Sequence, residues 1–101
     1  IMEVTLSINL ITSNPKVRGG RPCVVGTGLR VSDVVMAHLY HDQTPDEIAV
    51  NYDISVASVH AALAYYYEHK TDIDADIRTQ IEVGRRLKDE WVADGNTPLL
   101  P

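Results

Sequence analysis

The chain has 101 residues, of which 45% are hydrophobic, enough for one modest core, and it has no run of the ~20 apolar residues that a membrane-spanning helix needs. Its net charge of −5 is the wrong sign for a protein coated evenly for nucleic acid. That average hides an asymmetry: residues 14–31 hold Lys16, Arg18, Arg21 and Arg30 and no acid, while Asp72, Asp74 and Asp76 cluster later.

Ile1 to Asn14 has neither the basic start nor the apolar block of a signal peptide, and Ile1, ahead of Met2, is left out of the reading. The single cysteine, Cys23, excludes an internal disulfide framework. The expected location is therefore the cytoplasm, with no membrane segment.

In chain order, Val4, Leu6, Ile8 and Leu10 alternate with polar residues, a period of two that predicts a strand over Val4 to Ile11 with one buried face. Ser13-Asn14-Pro15 ends it. The stretch from Gly19 to Val31 is too rich in glycine and proline for a helix. Its apolar pieces, Cys23 to Val25 and Leu29 to Val31, predict two brief strands around a Gly26-Thr27-Gly28 turn.

Helices follow. Ser32 or Asp33 can cap one running to about Tyr40, with Val35, Met36 and Leu39 facing inward. Thr44-Pro45-Asp46-Glu47 is a strong start signal, with Thr44 as cap, Pro45 at the first helical position and Glu47 closing the capping box. That helix should be short, ending near Asn51 or Tyr52, with Ile48 as its main core residue. Ser55 caps the next, which reaches about His69 with Val56, Val59, Leu63 and Tyr66 or Tyr67 inward. A short helix, a turn and a longer helix make the outline of a helix-turn-helix motif. Asp72 to Ala93 forms the last helix, ended by Gly95. Along it Ile73, Ile77, Ile81, Gly84, Leu87 and Trp91 recur at steps of three and four, one apolar ridge that a partner or a second copy can bury. The expected organisation is a single domain over 1–95, with a β and loop arm (1–31), a helical core (32–70) and a C-terminal helix (71–95), then a loose tail over 96–101.

Several patterns imitate chemical sites and fail on spacing. Gly20 to Thr27 lacks the lysine of a phosphate loop, and Gly26-Thr27-Gly28 lacks the third glycine of a dinucleotide fingerprint. Asp72, Asp74 and Asp76 begin like a calcium loop, but Ile77 and Val83 stand where glycine and glutamate are required. Acids in a first turn also suit the helix dipole. His38 and His41 have no nearby third ligand, and Cys23 reads as a small buried apolar residue. The expectation is no enzyme, no cofactor and no metal.

The face of the second motif helix carrying Ser58, His60, Ala61, Ala64 and Tyr65 lies off the apolar stripe. Because Ser and His can donate to bases or phosphates, it is the face expected to enter a major groove, although it has no lysine or arginine before Lys70. Tyr65, Tyr66 and Tyr67 sit about 100° apart, so at least one faces solvent or a partner. The candidate DNA contacts are Lys16, Arg18, Arg21, Arg30, Ser55, Ser58 and His60. The candidate partner or dimer interface is Tyr65, Ile73, Ile77, Ile81, Gly84, Leu87 and Trp91.

Three ordered blocks, G-G-R-P-C-V-V-G-T-G-L-R-V-S-D-V, then T-P-D-E-I-A-V-N-Y, then A-A-L-A-Y-Y-Y-E-H-K-T-D-I-D-A-D-I, resemble domain-of-unknown-function family 433 over roughly Ile11 to Leu87. The resemblance implies a mainly α fold with a small N-terminal β element, a homeodomain-like or winged helix-turn-helix bundle, and a long amphipathic C-terminal helix. It also implies the antitoxin of a type II toxin–antitoxin pair, a homodimer that binds operator DNA and blocks a PIN-like ribonuclease. The family usually has Gly-Thr-Arg where this chain has Gly26-Thr27-Gly28, with the arginine two positions later at Arg30. A non-catalytic dimeric interaction module without DNA binding is the alternative.

Overall fold

The structure, a computed structural model, describes residues 2–95. Ile1 and the tail expected over 96–101 lie outside the described residues. The architecture is mainly α, with a two-stranded antiparallel sheet near the N-terminus and a long C-terminal helix. The chain divides into two compact units, Ile1–Lys70 and Thr71–Pro101.

The sheet is smaller than the period-two pattern predicts. Strand β1 is only Ile11–Thr12, paired antiparallel with β2, Cys23–Val24, in the register Ile11 with Val24 and Thr12 with Cys23. The expected strand over Val4 to Ile11 does not form: residues 2–10 have no sheet pairing, and Val4, Leu6 and Ile8 are 78%, 86% and 77% exposed. A strand needs a partner as well as a pattern, and β2 is too short to reach past Leu10, whose carbonyl accepts from Val25 N–H at 2.8 Å. The second predicted strand pair survives as a tight hairpin. Cys23 bridges Arg30, and Val24 N–H donates to Leu29 O at 2.9 Å. Gly26, at φ +73°, occupies the third position of the turn closed by Thr27 N–H on Val24 O (3.1 Å), where a side chain would be strained.

Helix α1, Val31–Val35, runs straight into a π-helical turn over Met36–Tyr40. It starts earlier than expected. Arg30 holds the cap position and Asp33 works from inside the first turn, its carboxylate accepting from Arg30 N–H at 3.0 Å. Val31, Val34, Val35 and Ala37 are buried, whereas Leu39 is exposed and Met36 only half-buried. The wider turn, shown by His41 N–H donating to Met36 O, explains the shift of face, because four residues no longer complete a turn there. Asp42, at φ +55°, then reverses the chain.

Helix α2, Pro45–Tyr52, begins as the sequence predicts. Thr44 Oγ1 accepts from Glu47 N–H at 3.2 Å and Glu47 Oε1 accepts from Thr44 N–H at 3.0 Å. Hydrogen bonds to the carboxylate from the Thr44 backbone N–H, first, and then from the Thr44 side chain hold the Glu47 carboxyl below the usual carboxylate range. A group so depressed stabilises the fold above its unfolded-state value and loses that contribution as pH falls through its folded-state value. The stability difference between the wild type and Glu47→Gln should therefore shrink on acidification, as denaturant midpoints at several pH values would show. Thr44→Ala is expected to cost about 1 kcal/mol at neutral pH, read from the same midpoints.

α2 closes with Asp53 at φ +54° and Ile54 N–H on Ala49 O (3.0 Å), the hydrogen bonding of a Schellman cap. The three residues Asp53–Ser55 then lead into α3, Val56–Glu68. Ser55 Oγ accepts from Ser58 N–H (3.0 Å) and donates to Ser58 Oγ (2.9 Å). The buried face of α3 is Ser58, Val59, Ala62, Leu63 and Tyr66; Val56, expected inward, is exposed at the first turn. α3 packs on α1, α2 and both strands, so it is the axis of the first unit. Ile48 is 0% exposed and supplies most of what α2 buries.

Helix α4 is Lys70–Ala93, starting two residues before the expected Asp72. One face carries an ion-paired trio, Arg85 with Glu82 (2.6 Å) and Asp89 (2.9 Å), all well exposed. Gly95, at φ +93°, ends it, its N–H donating to Val92 O at 3.0 Å. No helix among the described residues is long and apolar enough to cross a membrane.

Candidate nucleic-acid interface

The loop between β1 and β2 is where the basic residues gather, and its sequence dictates an unusual backbone. Asn14 starts a turn: its Oδ1 accepts from Lys16 N–H at 2.9 Å and its carbonyl from Val17 N–H at 2.8 Å. Arg18, Gly19 and Gly20 follow with φ of +51°, +64° and +83°, three consecutive left-handed residues. Two of them are glycines, for which this region is open. Arg18 is not, and holding it there costs roughly 1–2 kcal/mol.

The surroundings fix that conformation. Arg18 Nε donates to Gly28 O at 3.0 Å, Arg21 Nη1 donates to Arg18 O at 3.2 Å, and Ser13 Oγ donates to Gly20 O at 2.6 Å. Thr27 reinforces the hairpin tip, donating from Oγ1 to Val24 O (2.9 Å) and accepting from Leu29 N–H (3.1 Å). Thus a long basic side chain ties the loop to the hairpin, and Lys16, Arg18 and Arg21 remain on exposed positions.

Arg30 is placed differently. Its guanidinium makes a two-pronged pair with Asp33, Nε to Oδ2 at 3.1 Å and Nη2 to Oδ1 at 2.9 Å, both side chains being 22% exposed. Its charge is matched by Asp33 within the protein. Arg30, Asp33, Arg18, Met36, His41 and Tyr52 help to line a cleft of about 340 Å³ beside the π-helical turn.

The remaining sequence candidates separate in the same way. His60 is exposed on α3, together with Ala57 and Ala64. Ser58 is buried, and its hydroxyl is engaged with Ser55, so neither serine oxygen is spare in the way a base contact needs. In the sequence, Ser58 read as outward because hydropathy places a serine on the wet face; the local hydroxyl pair is what satisfies it inside. Tyr65 is half-buried and stacks on His69 with centroids 4.0 Å apart. On α4, Ile73 and Ile77 are buried and so lost as interface candidates, while Ile81, Leu87 and Trp91 are exposed along with Gly84.

Two features escaped the sequence reading. One is the strained Arg18, signalled only by the Gly19-Gly20 pair after it. The other is Val83, exposed beside the ridge. Burial pushes the Cys23 thiol up from its ordinary value, with Arg18 pulling the other way. The thiol donates to Arg21 O at 3.3 Å, so Cys23 braces the loop. Among the described residues no group of three or more His, Cys, Asp or Glu is arranged to hold a metal ion.

A small sheet braced by a basic loop packs on the longer of two helices joined by a three-residue turn, in a mainly α chain with a long C-terminal helix. The family described as "Protein of unknown function (DUF433)" matches residues 11–66, more than half of the chain. The protein belongs to that family. Its fold is similar to the crystal structure of a DUF433 member from Anabaena variabilis ATCC 29413, with 28% sequence identity, 69% of each chain covered and a TM-score of 0.63. Comparison with curated proteins gives no match.

Proposed function

We propose that the protein is a non-catalytic, DNA-binding helix-turn-helix regulator, the antitoxin and autorepressor of a type II toxin–antitoxin pair. The observation that carries the DNA half is the braced basic loop on the strands that pack against α3. Lys16, Arg18 and Arg21 would neutralise phosphates. The outer face of α3, with His60 beside Ala57, would lie in the major groove, His60 toward a base edge and the Ala57 methyl toward a thymine methyl. The antitoxin half is supported by the family resemblance and by α4. That helix presents Ile81, Leu87 and Trp91 on one stripe, the pattern by which an amphipathic helix fills a groove in another protein. A PIN-like ribonuclease is the partner this reading names.

The test is co-expression with the product of the neighbouring gene, followed by gel shift of the promoter over a salt series. A stable complex that shifts the promoter, with affinity falling linearly in log–log against salt, is the expected result. Binding that ignores salt, or no binding, overturns the DNA half. One observation favours a second reading, an interaction module without DNA: α3 has no lysine or arginine and the chain carries −5. A complex that forms yet leaves the promoter unshifted selects it.

Gly28 offers a separate check. A Cβ built there meets only Arg18 Nε at 3.9 Å, an ordinary contact, and its φ is not in the left-handed region. Gly28→Arg should therefore fold normally and add one cation to the loop surface. Under the DNA reading it steepens the salt slope by about 0.9, measurable by fluorescence anisotropy on the same promoter fragment.

A further inference from the structure

The segment 2–10 keeps the pattern of a half-buried strand but has no strand to pair with and no core to enter. Val4, Leu6 and Ile8 are more than three-quarters exposed, and the alternating Thr5, Ser7 and Asn9 carry no charge. β1 continues directly from this arm, so its backbone is set up to extend the ladder. Leu6, Ile8 and Ile11 together with Ala61, Ala64 and Tyr65 of α3 line a groove of about 420 Å³.

We propose that this arm pairs with the same arm of a second copy, forming an antiparallel two-stranded ribbon centred on Leu6 that covers the groove in each protomer. The sequence is self-complementary about that residue. Pairing about Leu6 sets Val4 against Ile8, Leu6 against Leu6 and Met2 against Leu10, all apolar and all on one face. The other face brings Thr5 against Ser7 and Glu3 against Asn9. Glu3, the one charge of the segment, then meets neither its own copy nor an apolar residue. Centring one residue later on Ser7 would place Glu3 against Ile11, and a register mixing parities would face apolar against polar residues along the ribbon.

The area fits as well. The exposed apolar side chains of one arm amount to something on the order of 500 Å², a large share of the ~800 Å² per partner of a stable interface, and the backbone ladder adds to it. Unpaired, the arm is an open edge that soluble proteins ordinarily blunt with charge or proline; between Val4 and Leu10 this one has neither.

The experiment uses the full chain without DNA, so its outcome is separate from the DNA reading. Sedimentation over a concentration series should give twice the 11.2 kDa chain mass. Leu6→Lys puts two lysines directly opposite each other and is expected to weaken self-association about a hundredfold or more, whereas Thr5→Lys, opposite Ser7, changes it little. Because Leu6 is exposed, the helical circular dichroism and melting of Leu6→Lys should match an isolated protomer's, which separates lost pairing from lost folding. Mixed Thr5→Cys and Ser7→Cys chains should form an intermolecular disulfide faster than either alone. A monomeric wild type, a dimer that Leu6→Lys leaves intact, or equal cross-linking in the mixed and single samples overturns the proposal.

Discussion

Ile48→Ala is expected to remove about 2–5 kcal/mol of stability, the largest loss from any single substitution in α2, and to lower the melting temperature by roughly 10 °C or more. Ile48 is 0% exposed, and of the eight residues of α2 only it and Ala49 are buried. A helix of that length is not stable alone in water. Its caps define where it starts and stops, but they do not attach it to α3. Truncating a side chain this deeply buried leaves a void, so both the transfer and the cavity contributions count. With a total stability of ~5–15 kcal/mol for a domain of this size, such a loss partly unfolds the protein near its working temperature. Val50→Ala on the same helix, at a position 80% exposed, should stay within about 0.5 kcal/mol of wild type. Thermal unfolding by circular dichroism compares the two. A cost below 1 kcal/mol for Ile48→Ala would mean that the caps and the Schellman turn, rather than packing, hold α2 in place.

What the sequence made legible was what is decided within a few residues. Thr44-Pro45-Asp46-Glu47 and Ser55 start α2 and α3 where expected because a cap is a bond between a side chain and the backbone three residues on. Gly95 ends α4 for an equally local reason. The failures were nonlocal. The period of Val4 to Leu10 is that of a strand, yet only a partner makes it one, and the chain's own β2 is two residues long. An ideal period of 3.6 places Leu39 and Val56 inward. The π-helical turn displaces the first, and the second sits at the start of α3, ahead of the residues that pack.

The candidate site followed the same division. The acid-free run holding Lys16, Arg18 and Arg21 could be read from composition, and all three lie on exposed positions. Arg30 belonged to that run by sequence but not by structure, since Asp33 three residues on takes its guanidinium in a two-pronged pair. The spacing of those two residues was visible, but on a helix start it signals equally a surface pair or a cap. Ser58 was misplaced because a buried hydroxyl satisfied by its neighbour leaves no trace in hydropathy. On α4 the apolar ridge was read as continuous, whereas burial divides it after Ile77. Beyond that point Ile81, Leu87 and Trp91 are exposed.

Neutralising the loop without dismantling it is expected to have the largest effect on DNA binding. The variant Lys16→Gln, Arg18→Gln, Arg21→Gln removes three positive charges. Glutamine retains an N–H donor where Arg18 and Arg21 now bond to Gly28 O and Arg18 O. If each cation meets a phosphate, the slope of log affinity against log salt falls by about 2.7, and at ~0.15 M salt the affinity drops about a hundredfold. The loss should be the same for specific and unrelated sequences, since phosphate contacts carry no base information. His60→Ala, in contrast, should leave the slope unchanged and cost affinity only for the cognate promoter. Fluorescence anisotropy at several salt concentrations, on promoter and scrambled duplexes, separates these patterns. An unchanged slope in the triple variant would remove the loop from the interface and leave a chain of net charge −5 with no cluster of cations on its helix-turn-helix able to replace it. In that case the interaction-module reading would stand, with α4 as its binding element.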